Sequence, residues 1–126
     1  MIEYFDAPDV KRRINTIIDL LRFDHISPES IYCIRSRGSR ARRTIARIHG
    51  LSRIWQQVME LKPSYIIEVI AEKFDFMTAE EQEKSLIHEL LHVPHGFKGG
   101  FRPHKGYVNG ETVERWYRRL QQQKNR

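Results

Sequence analysis

The sequence predicts an α+β fold, a small sheet packed on helices, and three observations carry that prediction. Apolar residues recur at helical spacing near both ends of the chain: Val10, Ile14, Ile17, Ile18 and Leu21, then Val113, Trp116, Tyr117 and Leu120. Tyr65–Ile70 is a β-rich run preceded by Pro63, the pattern of a strand. Leu86–Val93 is aliphatic apart from His88, Glu89 and His92, so it reads as a buried helix carrying three polar groups. With 126 residues, 40% hydrophobic and 30% charged, the chain suits one soluble globular domain spanning 1–126 with a single core.

Each element has its own local reason. Asp6 can N-cap a first helix over residues 7–23, with Pro8 in the first turn, where a missing amide is harmless. Ile31–Arg35 and Thr44–His49 read as short strands separated by the turn-rich, basic stretch Arg35–Arg43. After Gly50, the spacing of Leu51, Ile54, Trp55, Val58, Met59 and Leu61 fits a one-faced helix ending before Pro63. Ser64–Ile70 is the next strand. Thr78-Ala-Glu-Glu81 has the form of a capping box and opens the helix that carries the three polar groups, which stops near Pro94. His95–Gly106 holds four glycines and a proline and reads as a structured loop. Asn109 opens a last helix, and the polar Gln121–Arg126 tail is expected to fray.

The chemistry concentrates in His88-Glu89-Leu90-Leu91-His92, an HExxH pattern. Histidines four apart on a helix share a face, one turn above each other, and can grip one Zn²⁺. Glu89 then lies close enough to act on a water held by the metal. Three polar groups buried without partners would be expensive, and a metal with its water satisfies all three.

A catalytic zinc takes three protein ligands and keeps one position open. His95 falls on the same helical stripe, but lies about 10.5 Å along the axis from His88 at 1.5 Å per residue, a poor spacing unless Pro94 redirects the chain. Position 98, where a histidine ten residues after His88 would sit, is lysine. His104 is the better candidate, because glycines 96, 99 and 100 let the chain reverse and Pro103 stiffens the residue before it. Glu111 or Glu114 on the last helix could instead complete a two-histidine, one-glutamate site.

His88-Glu-Leu-Leu-His92 followed by Gly99-Gly-Phe-Arg-Pro-His104 resembles the signature of a family of small zincin-type metallopeptidases of archaea, bacteria and phages, SprT-like in outline. The resemblance implies a compact minimal zincin-like domain, with a small, mainly antiparallel sheet packed on helices that include the HExxH helix. It also implies that His88, His92 and His104 bind zinc and that Glu89 is catalytic.

The expected activity is hydrolysis of peptide bonds in a protein or peptide substrate through a zinc-bound water, with Glu89 as general base. Arg102 and Tyr107 flank His104 and are candidates to hydrogen-bond the developing oxyanion. The Ser64–Ile70 strand, if it is a sheet edge, could pair with an extended substrate.

A net charge of +6 and a pI near 9.7 favour an acidic partner. Arg35, Arg37, Arg40, Arg42 and Arg43, with Arg47, put six arginines into thirteen residues, a candidate nucleic-acid contact. Neither a helix-turn-helix nor an RNA-binding signature accompanies them, and the aromatic residues sit elsewhere. A nucleic-acid-associated protease or binding module is therefore one alternative. A regulatory zinc domain whose Gly96–Gly106 loop covers the metal is another. No apolar run approaches a membrane span and the N-terminus lacks a signal-peptide pattern. Cys33, the lone cysteine, suits a buried position and a reducing, cytoplasmic setting.

Overall fold

In the computed structural model, which describes residues 1–126, four strands form one mixed sheet in the order β1-β2-β4-β3. The strands are β1 (Glu3–Asp6), β2 (Ile31–Arg37), β3 (Ala46–Gly50) and β4 (Tyr65–Ile70). The helices are α1 (Pro8–Leu20), α2 (Arg53–Val58), α3 (Ala71–Phe74), α4 (Ala79–Leu91) and α5 (Gly110–Lys124). β1 pairs antiparallel with β2 and β3 pairs antiparallel with β4, while β2 and β4 run parallel from Ile31↔Tyr65 to Ser36↔Ile70. The fold is α+β, and two of its three strand pairings are antiparallel, consistent with a small zincin-like domain.

Strand alternation decides which face is covered. Ile31 and Cys33 of β2 and Tyr65, Ile67 and Val69 of β4 point inward and are buried, whereas Tyr32 and Ile66 point outward. Against the inner face pack Val10, Ile14 and Ile17 of α1, Leu86, Ile87 and Leu90 of α4, and Val113 and Leu120 of α5, in one core of 22 buried residues. Burial of each such aliphatic side chain contributes about 1.5–3 kcal/mol before conformational entropy is subtracted.

Several details differ from the sequence reading. Asp6 ends β1 instead of capping α1; Ala7 is the N-cap residue, and the Asp6 carboxylate accepts from the Ala7 amide at 3.1 Å. All four β1 residues are exposed, so no burial pattern announces the strand. The apolar spacing over 51–61 yields only the six-residue α2, with no buried residue and with Ile54 and Val58 70% and 75% exposed. β3 and β4 are antiparallel neighbours, so their connection only turns around at the end of the sheet, where α2 has no layer to bury against. The polar tail stays helical to Lys124, because Gln121 and Lys124 both reach Glu83 on α4.

One difference bears directly on function. β4, which could pair with a substrate only as an edge, is a central strand with β2 on one side and β3 on the other. The two edge strands are β1 and β3, and of these it is β3 that packs beside α4.

Candidate metal centre and active-site groove

The capping box of α4 forms as its sequence dictates: Thr78 Oγ1 accepts from the Glu81 amide at 3.1 Å and the Glu81 carboxylate accepts from the Thr78 amide at 3.3 Å. Leu86, Ile87, Leu90 and Leu91 then fix the rotation of the helix by sinking into the core. That rotation leaves His88 and His92 on one face, with ring centroids 5.1 Å apart.

Beyond Pro94 the chain reverses. Phe97 and Gly99 adopt positive φ, 47° and 99°, and a Cβ on Gly99 would stand 2.3 Å from the Leu51 carbonyl oxygen. Only glycine fits there. The buried Tyr65 hydroxyl accepts from the Gly99 amide and donates to the Gly100 carbonyl, both at 2.9 Å. The Arg102 amide donates to the His92 carbonyl at 2.7 Å. Thus anchored, the loop delivers His104, whose ring centroid lies 5.4 Å from that of His88 and 4.7 Å from that of His92.

His88, His92 and His104 offer ligand atoms that all lie within 4.8 Å of one another, a group that could hold a metal ion. The donor chemistry fits such an ion. His92 Nδ1 lies 2.8 Å from the Arg102 carbonyl oxygen, which can only accept, so Nδ1 carries the proton and Nε2 is left as the ligand atom. Burial first, then the His92 and His104 imidazoles, push His88 down to about 4, so it is neutral and ready to coordinate at pH 7. Burial also lowers His92. Glu89 is 7% exposed, with its carboxylate 4.0 Å from His88 Nε2, and burial pushes it up to about 8.

The other predicted site residues stand outside the histidine cluster, some of them on the walls around it. His95 stacks on His25 with centroids 4.3 Å apart, Glu114 pairs with Lys84 at 2.8 Å, and Glu111 is exposed; none of the three joins the histidine cluster. Arg102 lines the same cavity as His88, Glu89, His92 and His104, with its guanidinium over the Tyr107 ring at 5.6 Å, whereas Tyr107 lines a different cavity, beside Trp116. Among the arginines, Arg35 is bound to Asp9 and Asp75, and Arg47 lies against the buried Glu68.

The cluster sits in a groove of two lobes, about 400 and 520 Å³, that share Thr44, Ala46, His88 and Glu89. β3 forms one wall. Leu51 donates to Ser64 and Ile70 donates to Ile45, so odd-numbered residues of this antiparallel ladder face β4. The amides and carbonyls of Ala46 and Ile48 therefore point away from β4. Sequence reasoning missed this wall and the Tyr65 anchor. A tyrosine in a β-run looks like core, and its hydroxyl's need for a partner was the only available signal.

A family model described as "Putative phage metallopeptidase" matches residues 2–124. The chain belongs to that family. No curated protein and no solved structure matches it significantly. As a member of this metallopeptidase family it carries a histidine triad suited to a metal ion, and no helix is long and apolar enough to cross a membrane.

Proposed function

We propose that this chain is a zinc-dependent endopeptidase in which His88, His92 and His104 hold the ion and Glu89 is the general base. The observation that carries the reading is the convergence of three imidazoles within 4.8 Å beside a buried glutamate. When bound, zinc supplies Lewis acidity, polarising the scissile carbonyl and bringing the pKa of water toward neutrality.

The protein's own groups do the rest. In the metal-free protein the burial-raised Glu89 holds its proton at neutral pH; a cation among the imidazoles favours the ionised form, which a base needs. Glu89 then takes a proton from the attacking water and delivers it to the departing amine. The outward-facing backbone groups of Ala46 and Ile48 pair with an extended substrate and orient its carbonyl. Because the groove continues on both sides of His88 and Glu89, a polypeptide can pass through it, which favours internal cleavage. A cytoplasmic setting belongs to the proposal, since Cys33 is buried and forms no disulfide.

The test is Glu89→Gln. The variant should keep full zinc occupancy by metal analysis and lose at least about 100-fold in cleavage of unfolded protein substrates. Undiminished cleavage would remove Glu89 from its role, and a wild-type protein that loads zinc but cuts nothing would remove the peptidase reading.

A further inference from the structure

The arginine-rich segment before β3 divides into two groups. Arg35 forms a two-pronged pair with Asp9 at 2.6 and 2.7 Å and also reaches Asp75 at 3.0 Å. Arg47 lies 3.1 Å from the Glu68 carboxylate, and Arg37 stacks over Phe5 at 5.8 Å. Arg40, Arg42 and Arg43 have no ion-pair partner. Of these three, Arg43 lines the groove lobe that also contains His88 and Glu89.

We propose that Arg43 makes the groove selective for acidic polypeptide segments by pairing with a substrate carboxylate close to the scissile bond. The proposal rests on the peptidase reading above. Arg43 immediately precedes Thr44, and Thr44 and Ala46 border both lobes opposite Glu89. A peptide paired with the free edge of β3 advances about 3.3 Å per residue, so it reaches Arg43 within about two residues of the reacting bond. The lobe's other cation, Lys84, is already held by Glu114 at 2.8 Å and Glu80 at 3.1 Å. Glu89 is the sole carboxylate lining either lobe. In the other lobe Arg47 lies on Glu68, and Arg102, over the Tyr107 ring, stands beside His92 and His104. Arg43 therefore supplies the uncompensated positive charge at the far end of the channel, where there is room for an anion. Nucleic acid fits less well: no Phe, Tyr or Trp lies between Arg37 and Gly50 to stack a base. Two of the six arginines are also spent on internal carboxylates.

The experiment uses full-length Glu89→Gln protein loaded with zinc and a fluorescent peptide pair that differs only by Glu→Gln at positions flanking the cleavage-site region. Anisotropy at low salt should show the acidic peptide binding about three- to fivefold more tightly, with the difference shrinking as salt is added. Arg43→Gln should bring the acidic peptide to the affinity of the neutral one, and Arg43→Glu should prefer a lysine-bearing version. Equal affinities, no measurable binding of the acidic peptide, or a preference that survives Arg43→Gln would each overturn the proposal. So would a single-stranded oligonucleotide that displaces the acidic peptide better than unlabelled peptide of equal charge, which would assign the segment to nucleic acid. Wild-type protein then separates the two readings. Charge-selective binding without cleavage sinks the peptidase and keeps the subsite, whereas cleavage indifferent to charge keeps the peptidase and sinks the subsite.

Discussion

His92 and Arg102 are bound to each other twice. The His92 carbonyl accepts from the Arg102 amide at 2.7 Å, and the His92 ring donates through Nδ1 to the Arg102 carbonyl at 2.8 Å. The orientation of the His92 ring is thereby set by the backbone of the loop that presents His104 two residues later. The helix end and the loop act as one unit, and the Arg102 side chain has no part in that bond pair.

Removing either outer member of the triad should be equally damaging. His104→Ala should lower zinc affinity as much as His88→Ala, by more than the 10- to 100-fold typical of losing an outer hydrogen-bond partner of a ligand. Equilibrium dialysis with metal analysis measures it. Full occupancy in His104→Ala would place the third ligand elsewhere.

Tyr65→Phe deletes one hydroxyl but two hydrogen bonds, to Gly99 and Gly100. Leaving those backbone groups unpaired should cost about 1–3 kcal/mol by chemical denaturation. The loop it anchors also positions His104, so zinc affinity should fall as well, by about tenfold. A stability loss with unchanged affinity would show that Tyr65 supports the core alone.

Gly99→Ala introduces a side chain at φ +99° and places its Cβ 2.3 Å from the Leu51 oxygen. The loop must shift, and about 2 kcal/mol of strain is expected. Zinc binding is the sharper readout, because α4 itself is untouched. A variant with wild-type melting temperature and affinity would mean that the loop has another conformation of equal energy.

Acid should expose the Asp9–Arg35 pair. The Arg35 hydrogen bond, working against partial burial, lowers Asp9 from 3.8 to about 2. A folded value below the unfolded one means the stabilisation is complete above the unfolded value and is lost as pH falls through about 2. Asp9→Asn should flatten the melting-temperature profile between roughly pH 4 and pH 2. With Asp9 half exposed at 48%, solvent screening keeps the effect modest. A variant that loses stability over that interval as steeply as wild type would show the pair to be inert.

What could be read from the sequence follows from how local each cause is. The α4 capping box, the burial of Leu86–Leu91 and the shared face of His88 and His92 are all decided within one helix, and all appear as read. The meeting of His104 with that pair needed only glycines that permit reversal and a short loop. Strand order is different. It depends on which neighbour captures each edge, so Tyr65–Ile70 carries the same residues whether central or peripheral, and the wall of the groove passed to β3. The apolar spacing of Ile54, Trp55 and Val58 misled for a related reason: periodicity reports a face but cannot supply a layer to cover it.

The open edge of β3 carries a liability as well as a use. A row of unpaired amides and carbonyls that accepts a substrate strand would also accept β3 from another copy and so occlude the groove. Three features oppose that: the strand has five residues, it lies beside α4, and like-charged Arg40, Arg42 and Arg43 lead into it. Two copies paired edge to edge in parallel would bring these arginines together. The segment whose Arg43 is proposed to draw an acidic chain into the groove therefore also opposes the protein's becoming its own ligand, and neutralising all three arginines should lower solubility along with selectivity.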